Sequence, residues 1–222
     1  MQTMLLTGGN GFVGRQVRRG LAARGVKQRL VLRDGQSSSQ ELTDTVFSPD
    51  IFAENAGWWA RACDGVDTVV HVAWYAEPGK YLHAPQNLSC LAGTLALAEG
   101  ARRAGVRRLV GVGTCFEYDL SHRALAIDTP LNPATPYAAC KAAAYLALSR
   151  SLPQAGMSFA WCRPFYLYGE GEDARRLVPY LRKQLASGAK AELTSGRQIR
   201  DFMDIAAAGD NIAAAALGAI EG

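Results

Sequence analysis

Tyr137 and Lys141 stand four residues apart in Tyr137-Ala138-Ala139-Cys140-Lys141, inside an alanine-rich stretch that reads as helix. Residues at i and i+4 share a helix face, so a phenol and an ammonium placed there can serve one pocket. Both groups titrate near pH ~10 when unperturbed. A neighbouring ammonium favours the phenolate and lowers the tyrosine pKa, which makes the phenol a usable proton donor and acceptor at neutral pH. The pair alone also fits a half-exposed tyrosine beside a surface lysine on an alanine-rich helix. Two further features join it. Thr114 follows an apolar strand over 109–113, at the carboxyl end where ligands of parallel sheets bind, and its hydroxyl can hydrogen-bond a substrate oxygen. Near the start, Thr7-Gly8-Gly9-Asn10-Gly11-Phe12-Val13-Gly14 follows the apolar Met4-Leu5-Leu6. A strand that turns into a helix through residues without a Cβ lets a pyrophosphate approach the backbone and rest on the helix N-terminus. The spacing is G-x-x-G-x-x-G, not the standard G-x-G-x-x-G.

These residues need a scaffold, and the chain alternates accordingly. Strands are predicted over 2–6, 29–32, 68–73, 109–113 and 159–163, with a short one at Val46-Phe47. Helices are predicted over 12–24, 56–63, 85–104 and 135–151. A polar, low-complexity loop occupies 35–40. After Pro164 the rhythm weakens to a helix over 175–186, a possible strand over 192–194 and an alanine-rich helix over 205–220. This pattern implies an α/β fold, a doubly wound parallel sheet with helices on both faces.

Composition is that of a soluble globular chain: 222 residues, 49% hydrophobic and 20% charged. No apolar run approaches the ~18–20 residues of a membrane span. The chain opens within a strand, which leaves no room for a signal peptide and points to the cytoplasm. Five cysteines (Cys63, Cys90, Cys115, Cys140, Cys162) are odd in number and lack metal-ligand spacing, so reduced, packed thiols and no metal site are expected. A net charge of +4 welcomes an anionic small ligand without demanding nucleic acid.

Taken together, these motifs resemble an extended short-chain dehydrogenase/reductase of the NAD(P)-dependent sugar epimerase/dehydratase kind. The resemblance runs through Thr7 to Gly14, Asp64 to Ala73, Gly113 to Tyr118, Pro136 to Lys141, Arg163-Pro164 and Arg200-Asp201-Phe202. It implies a Rossmann domain over 1–165 for the dinucleotide and a partial substrate-binding region over 166–222. It implies Tyr137 as acid/base, Thr114 orienting the substrate oxygen, and Lys141 binding the nicotinamide ribose and tuning Tyr137. Gly8, Gly11, Phe12, Val13 and Gly14 would cradle the cofactor phosphates. Asp50 and Ile51 resemble the pair that holds adenine; Ala73 would lie under the diphosphate and ribose, and Pro164 and Phe165 near the nicotinamide. Arg33 ends the second strand where NAD-preferring members carry an acid, so its cation favours the 2′-phosphate of NADP, with NAD the alternative. A solvent-facing arginine is the plain reading, and Asp34 next door blurs the charge. Arg200 resembles the arginine that grips the substrate diphosphate. Trp74 and Tyr75, in the aromatic segment after Ala73, would wall the sugar or base, unless their rings only cap the sheet.

Departures narrow the reaction. Dehydratases of this family follow the catalytic threonine with an Asp-Glu pair; here Cys115 and Phe116 stand there, so dehydration is not expected and both become lining residues. Glu117 is either a substrate contact or a loop carboxylate. The reading that results is NADPH-dependent reduction of a 4-keto group on a nucleotide-activated deoxysugar. An NAD-dependent 4-epimerase and a noncatalytic cofactor sensor are the alternatives. In the family the helix near 205–220 is followed by further strand and helix, so cofactor binding is expected to survive better than turnover. A homodimer through helices flanking the active site is also expected.

Overall fold

β1 (Thr3–Thr7) sends Met4 and Leu6 to one side of a sheet and Leu5 to the other, and this alternation founds two separate cores. The fold comes from a computed structural model that describes residues 2–33, 44–122 and 124–222. β1 pairs in parallel with β2 (Lys27–Leu32), which pairs with β3 (Thr45–Phe47). On its other side lie β4 (Thr68–His71), β5 (Arg108–Val112) and β6 (Ser158–Cys162), giving the order β3-β2-β1-β4-β5-β6. Every residue of β4 and β5 is buried, as both faces of a parallel sheet must be.

On one face α2 (Ala56–Ala62), α3 (Gln86–Arg103) and α4 (Pro136–Gln154) bring Trp59, Leu97 and Leu148 onto Leu5, Leu109 and Phe159. On the other, α1 (Phe12–Ala23) contributes Val17 and Leu21 against Met4, Leu6, Val70 and Val110. Each such leucine stabilises the fold by about 1.5–3 kcal/mol relative to exposure. Helix starts are set by short polar residues: Asn55 accepts from the Trp58 amide, and Thr135 accepts from the Ala138 amide ahead of Pro136.

Past β6 the chain forms β7 (Tyr166–Tyr168), α5 (Leu177–Ala186), β8 (Phe202–Asp204) and α6 (Ile205–Leu217), which Asp204 caps. β7 and β8 pair in parallel as a separate two-stranded sheet. The strand expected over 192–194 is absent: that segment is exposed and finds no ladder partner, and a strand without one leaves its backbone to water. The pairing of Tyr166-Leu167-Tyr168 with Phe202-Met203-Asp204 takes its place. α6, beyond the proposed boundary at 165, packs Ile212, Ala213 and Ala216 into the same core as α1. β4 stops at His71, short of the expected 73, because the Ala73 amide leaves the ladder for the Thr7 hydroxyl at 3.3 Å. The polar loop at 35–40 and Asp34 lie outside the described residues. No described helix is long and apolar enough to cross a membrane.

The register sets Thr7 opposite His71, and Val112 opposite Cys162. The carboxyl ends of β1, β4, β5 and β6 therefore share one edge, and the chain order reverses between β1 and β4. A crevice at that switch point is where an open parallel sheet holds its ligand.

Candidate active site

Gly8 leaves β1 at φ +71°, a conformation that only glycine adopts without strain, and a Cβ there would lie 2.7 Å from the Ala73 amide nitrogen. A Cβ on Gly14 would overlap the Gly8 carbonyl. The spacing thus serves two close approaches, turn against strand end and helix against turn. Gly11 is the N-cap of α1 and offers no side chain to its first amides, which leaves them for an anion. These residues fit a dinucleotide diphosphate: the cradle has no side chain where phosphates would rest.

Beneath the cradle runs a satisfied polar chain. The Ala73 amide donates to the Thr7 hydroxyl, which stands 2.8 Å from His71 Nδ1; His71 Nε2 stands 2.9 Å from Thr94 Oγ1. Thr94 gives its own hydrogen to the Cys90 carbonyl, so it accepts from Nε2–H, and Nδ1 accepts from Thr7. Burial keeps the imidazole neutral, its pKa down to about 3. His71 is thus a packed staple at the end of its strand.

Thr114 caps a single 3-10 turn, Cys115–Glu117, directly after β5. Its hydroxyl accepts from the Phe116 amide at 3.3 Å, which leaves the hydroxyl hydrogen to donate. Tyr137 lies in the first turn of α4, its amide bonded to the Leu82 carbonyl. Lys141, one turn on, is 2% exposed; its ammonium donates to the Val112 carbonyl and lies 4.1 Å from the centre of the Trp74 ring. Burial brings the amine down to about 7, while Glu117 and then Cys90 act against that fall. The tyrosine pKa, expected to fall, is raised. Burial is the main cause and Tyr81 adds to it, while the nearby Thr114 hydroxyl opposes. The ammonium addresses Val112 and Trp74, so it does not supply the expected lowering.

The aromatic segment closes over this pair. Trp74 meets Tyr137 edge-on at 6.3 Å between ring centres, and Tyr81 does so at 4.8 Å. Asn87 pins the segment: its carbonyl accepts from the Trp74 indole at 2.8 Å and its amide donates to Tyr81 and Ala84 carbonyls. The Tyr75 amide points to Cys90 Sγ at 3.4 Å, and the Tyr75 hydroxyl donates to Glu77.

The remaining candidates fall into groups. Ala73 sits against Gly8, and Phe12 and Val13 pack on Leu167, Ile205 and Ala208. Asp50 is exposed and accepts from the Phe52 amide, while Ile51 packs on the α2–α4 core. Arg33 is exposed at the end of β2. Pro164 accepts from the Cys115 amide at 3.1 Å, tying the strand end to the Thr114 turn, and Phe165 next to it is half-buried. Cys115 is buried and its thiol is pushed up to about 11, so it lines the site without acting as a nucleophile. Phe116 meets Tyr166 edge-on, and the Arg200 guanidinium lies over the same Tyr166 ring at 5.1 Å. Pairing of β7 with β8 thus returns Arg200 to the Thr114 turn. Glu117 is neither substrate contact nor loop carboxylate: it is fully buried and bonded to Arg163, Trp161 and the Thr114 amide. Asn87 and Glu117 carry the geometry yet give no local sequence signal beyond a polar residue in an apolar setting.

The profile of the NAD dependent epimerase/dehydratase family matches residues 4–218. A dTDP-6-deoxy-L-talose 4-dehydrogenase (NAD(+)) of Aggregatibacter actinomycetemcomitans is 26% identical over 215 residues, 91% of this chain and 75% of the relative. A UDP-glucose 4-epimerase of Streptomyces lividans is 29% identical over 154 residues, 63% of this chain and 44% of the relative. The structure of a dTDP-glucose 4,6-dehydratase from Streptomyces venezuelae with NAD bound aligns with TM-score 0.78 at 26% identity, covering all of this chain and 74% of that one. With a glycine turn, a strand-end threonine and a helical Tyr/Lys pair on one edge of a parallel sheet, and a profile match across nearly its whole length, the chain belongs to the NAD-dependent epimerase/dehydratase family.

Proposed function

We propose that the protein reduces a 4-keto group on a nucleotide-activated deoxysugar with NADPH, residues 1–165 holding the cofactor and 166–222 serving the substrate. The observation that carries this reading is the convergence of Thr114, Tyr137 and Lys141 beside the glycine cradle at one sheet edge. Gly8, Gly11, Phe12, Val13 and Gly14 would hold the diphosphate, Ala73 the adjoining ribose, Asp50 and Ile51 the adenine, and Pro164 and Phe165 the nicotinamide. The bound cofactor supplies the hydride for the carbonyl carbon. Thr114 donates its free hydroxyl hydrogen to the carbonyl oxygen, and Tyr137 delivers the proton that completes the alcohol. A phenol whose pKa burial raises is protonated at neutral pH, which suits the reducing direction. Lys141 would bind the nicotinamide ribose, Arg200 the substrate diphosphate, and Trp74, Tyr75, Cys115 and Phe116 would line the sugar site. The relative whose name places its chemistry at C4 of a 6-deoxysugar supports the position of attack.

Arg33 supports NADPH over NADH, since a guanidinium at the end of β2 can pair with a 2′-phosphate. Incubation with a nucleotide-linked 4-keto-6-deoxyhexose should consume NADPH one-for-one with alcohol formed. Interconversion of two sugars on NAD without net oxidation would instead establish the 4-epimerase, the reading that a relative of that name favours. Failure of Tyr137→Phe to alter any turnover would return the noncatalytic sensor. A homodimer through α3 and α4 is part of the proposal, because Leu88, Leu95 and Leu146 stand exposed on those helices; sedimentation should give twice the chain mass.

A further inference from the structure

A carboxylate leaves water only where donors replace its hydration, and Glu117, at 0% exposure, has three. The Thr114 amide donates to Oε1 at 2.8 Å, the Trp161 indole lies 3.1 Å from both oxygens, and Arg163 Nε donates to Oε2 at 2.7 Å. The backbone is cut to admit this arrangement: a Cβ on Gly113 would overlap both Glu117 Oε1 and the Trp161 nitrogen. Arg163 is itself nearly buried, with its guanidinium 4.1 Å from the centre of the Tyr145 ring. The Trp161 ring also lies 5.9 Å from the Lys141 ammonium. The carboxylate thus pairs directly with one buried cation, from the end of β6, and shares the Trp161 indole with a second, from α4. The titratable groups that face Lys141 are Glu117 from the Thr114 turn, Cys90 from α3 and His71 from β4, the last held neutral.

We propose that Glu117 is a positioning residue for the site: its carboxylate clamps the Thr114 backbone at the end of β5 and is the buried counter-charge of the Lys141 ammonium. This rests on the roles given above to Thr114 and Lys141. A carboxylate that merely stapled the turn to β6 would answer to Trp161 and Arg163 alone. The clamp instead couples the hydroxyl that steadies the substrate oxygen to the amine that faces the cofactor ribose. Thr114 and Lys141 lie on different elements; Glu117 accepts from the Thr114 amide directly and meets the Lys141 ammonium across the Trp161 ring.

The test is a titration of the full chain carrying lysine labelled with carbon-13 at Cε, with the Lys141 resonance assigned through Lys141→Arg. Glu117→Gln keeps the shape and an acceptor but removes the charge, so the Lys141 midpoint should drop by about one pH unit. Arg163→Met removes the competing cation and leaves the carboxylate, so the midpoint should rise. The Thr114 amide proton should move upfield in E117Q, as a charge-assisted bond becomes a neutral one. An unchanged midpoint in E117Q overturns the counter-charge, and an unmoved Thr114 amide overturns the clamp. If E117Q does not fold, R163M decides: a rise supports the proposal, and no rise overturns it. The titration needs no substrate, so failure to turn over a 4-keto sugar would overturn the proposed reaction while the Glu117–Lys141 coupling is still judged by its midpoint.

Discussion

The sheet and the outer stretch of β7, α5 and β8 use similar residues to opposite effect. In the sheet, β4 and β5 are buried throughout, and leucines from three helices, α1, α3 and α4, close over both faces. In the outer stretch, α5 buries no residue; Leu185 is 78% exposed and Ile199 is 69% exposed. The two are joined by a small cluster of Leu167, Ile205 and Ala208 against Phe12 and Val13 and by Phe116 edge-on to Tyr166. The outer stretch therefore leans on the start of α1, while α6, farther along the same proposed substrate region, belongs to the core beneath the sheet. Burial is concentrated in the sheet and thins out over α5 and 192–200.

Substitutions can break or sharpen this contrast, and the largest effect belongs to the cradle. Gly14→Val should abolish NADPH binding in a fluorescence titration, because its Cβ must displace the Gly8 carbonyl. Tyr137→Phe should lower kcat by about 10²–10⁴-fold with the cofactor Kd unchanged, since it removes the proton and not the cradle. Leu109→Ala, in the buried core, should cost about 2–5 kcal/mol in urea denaturation. His71 gives a pH-dependent effect of intermediate size. Its folded pKa is depressed to about 3 from an ordinary 6.5, so its stabilisation is full above pH 6.5 and is lost as pH falls toward 3. The slope in that window approaches about 1.4 kcal/mol per pH unit, and His71→Asn should flatten it when urea midpoints at pH 7 and pH 5 are compared. Leu185→Ser, on the outer helix, should change stability by less than about 0.5 kcal/mol; a core-sized loss there would show that α5 is not the unsupported element described.

Legibility in the sequence followed contact distance. The approach of Gly14 to Gly8 and the Tyr137/Lys141 pair could be read because their members lie within seven residues along the chain. The sheet could be read because buried parallel strands are continuous apolar runs. That 192–194 stays unpaired while Tyr166–Tyr168 pairs with Phe202–Asp204 could not, since β pairing depends on a partner that sequence alone does not locate. Glu117 looked like a loop acid because two of its donors, Trp161 and Arg163, are 44 and 46 residues away. The direction of the tyrosine pKa is hidden for a related reason: i,i+4 spacing brings Lys141 to the same face, but burial by Trp74 and Tyr81 and the pull of Val112 decide where the charge acts.

By itself the sequence determined the alternation of strand and helix, the cradle without Cβ atoms, and the residue types available at the sheet edge. Those are consequences of periodicity and backbone sterics, which act over a few residues. Tertiary structure decided which carboxylate is buried, which amine is desolvated, and which aromatic rings cover the phenol. Such outcomes depend on electrostatics in a dry interior, and an interior exists only once distant segments have packed together.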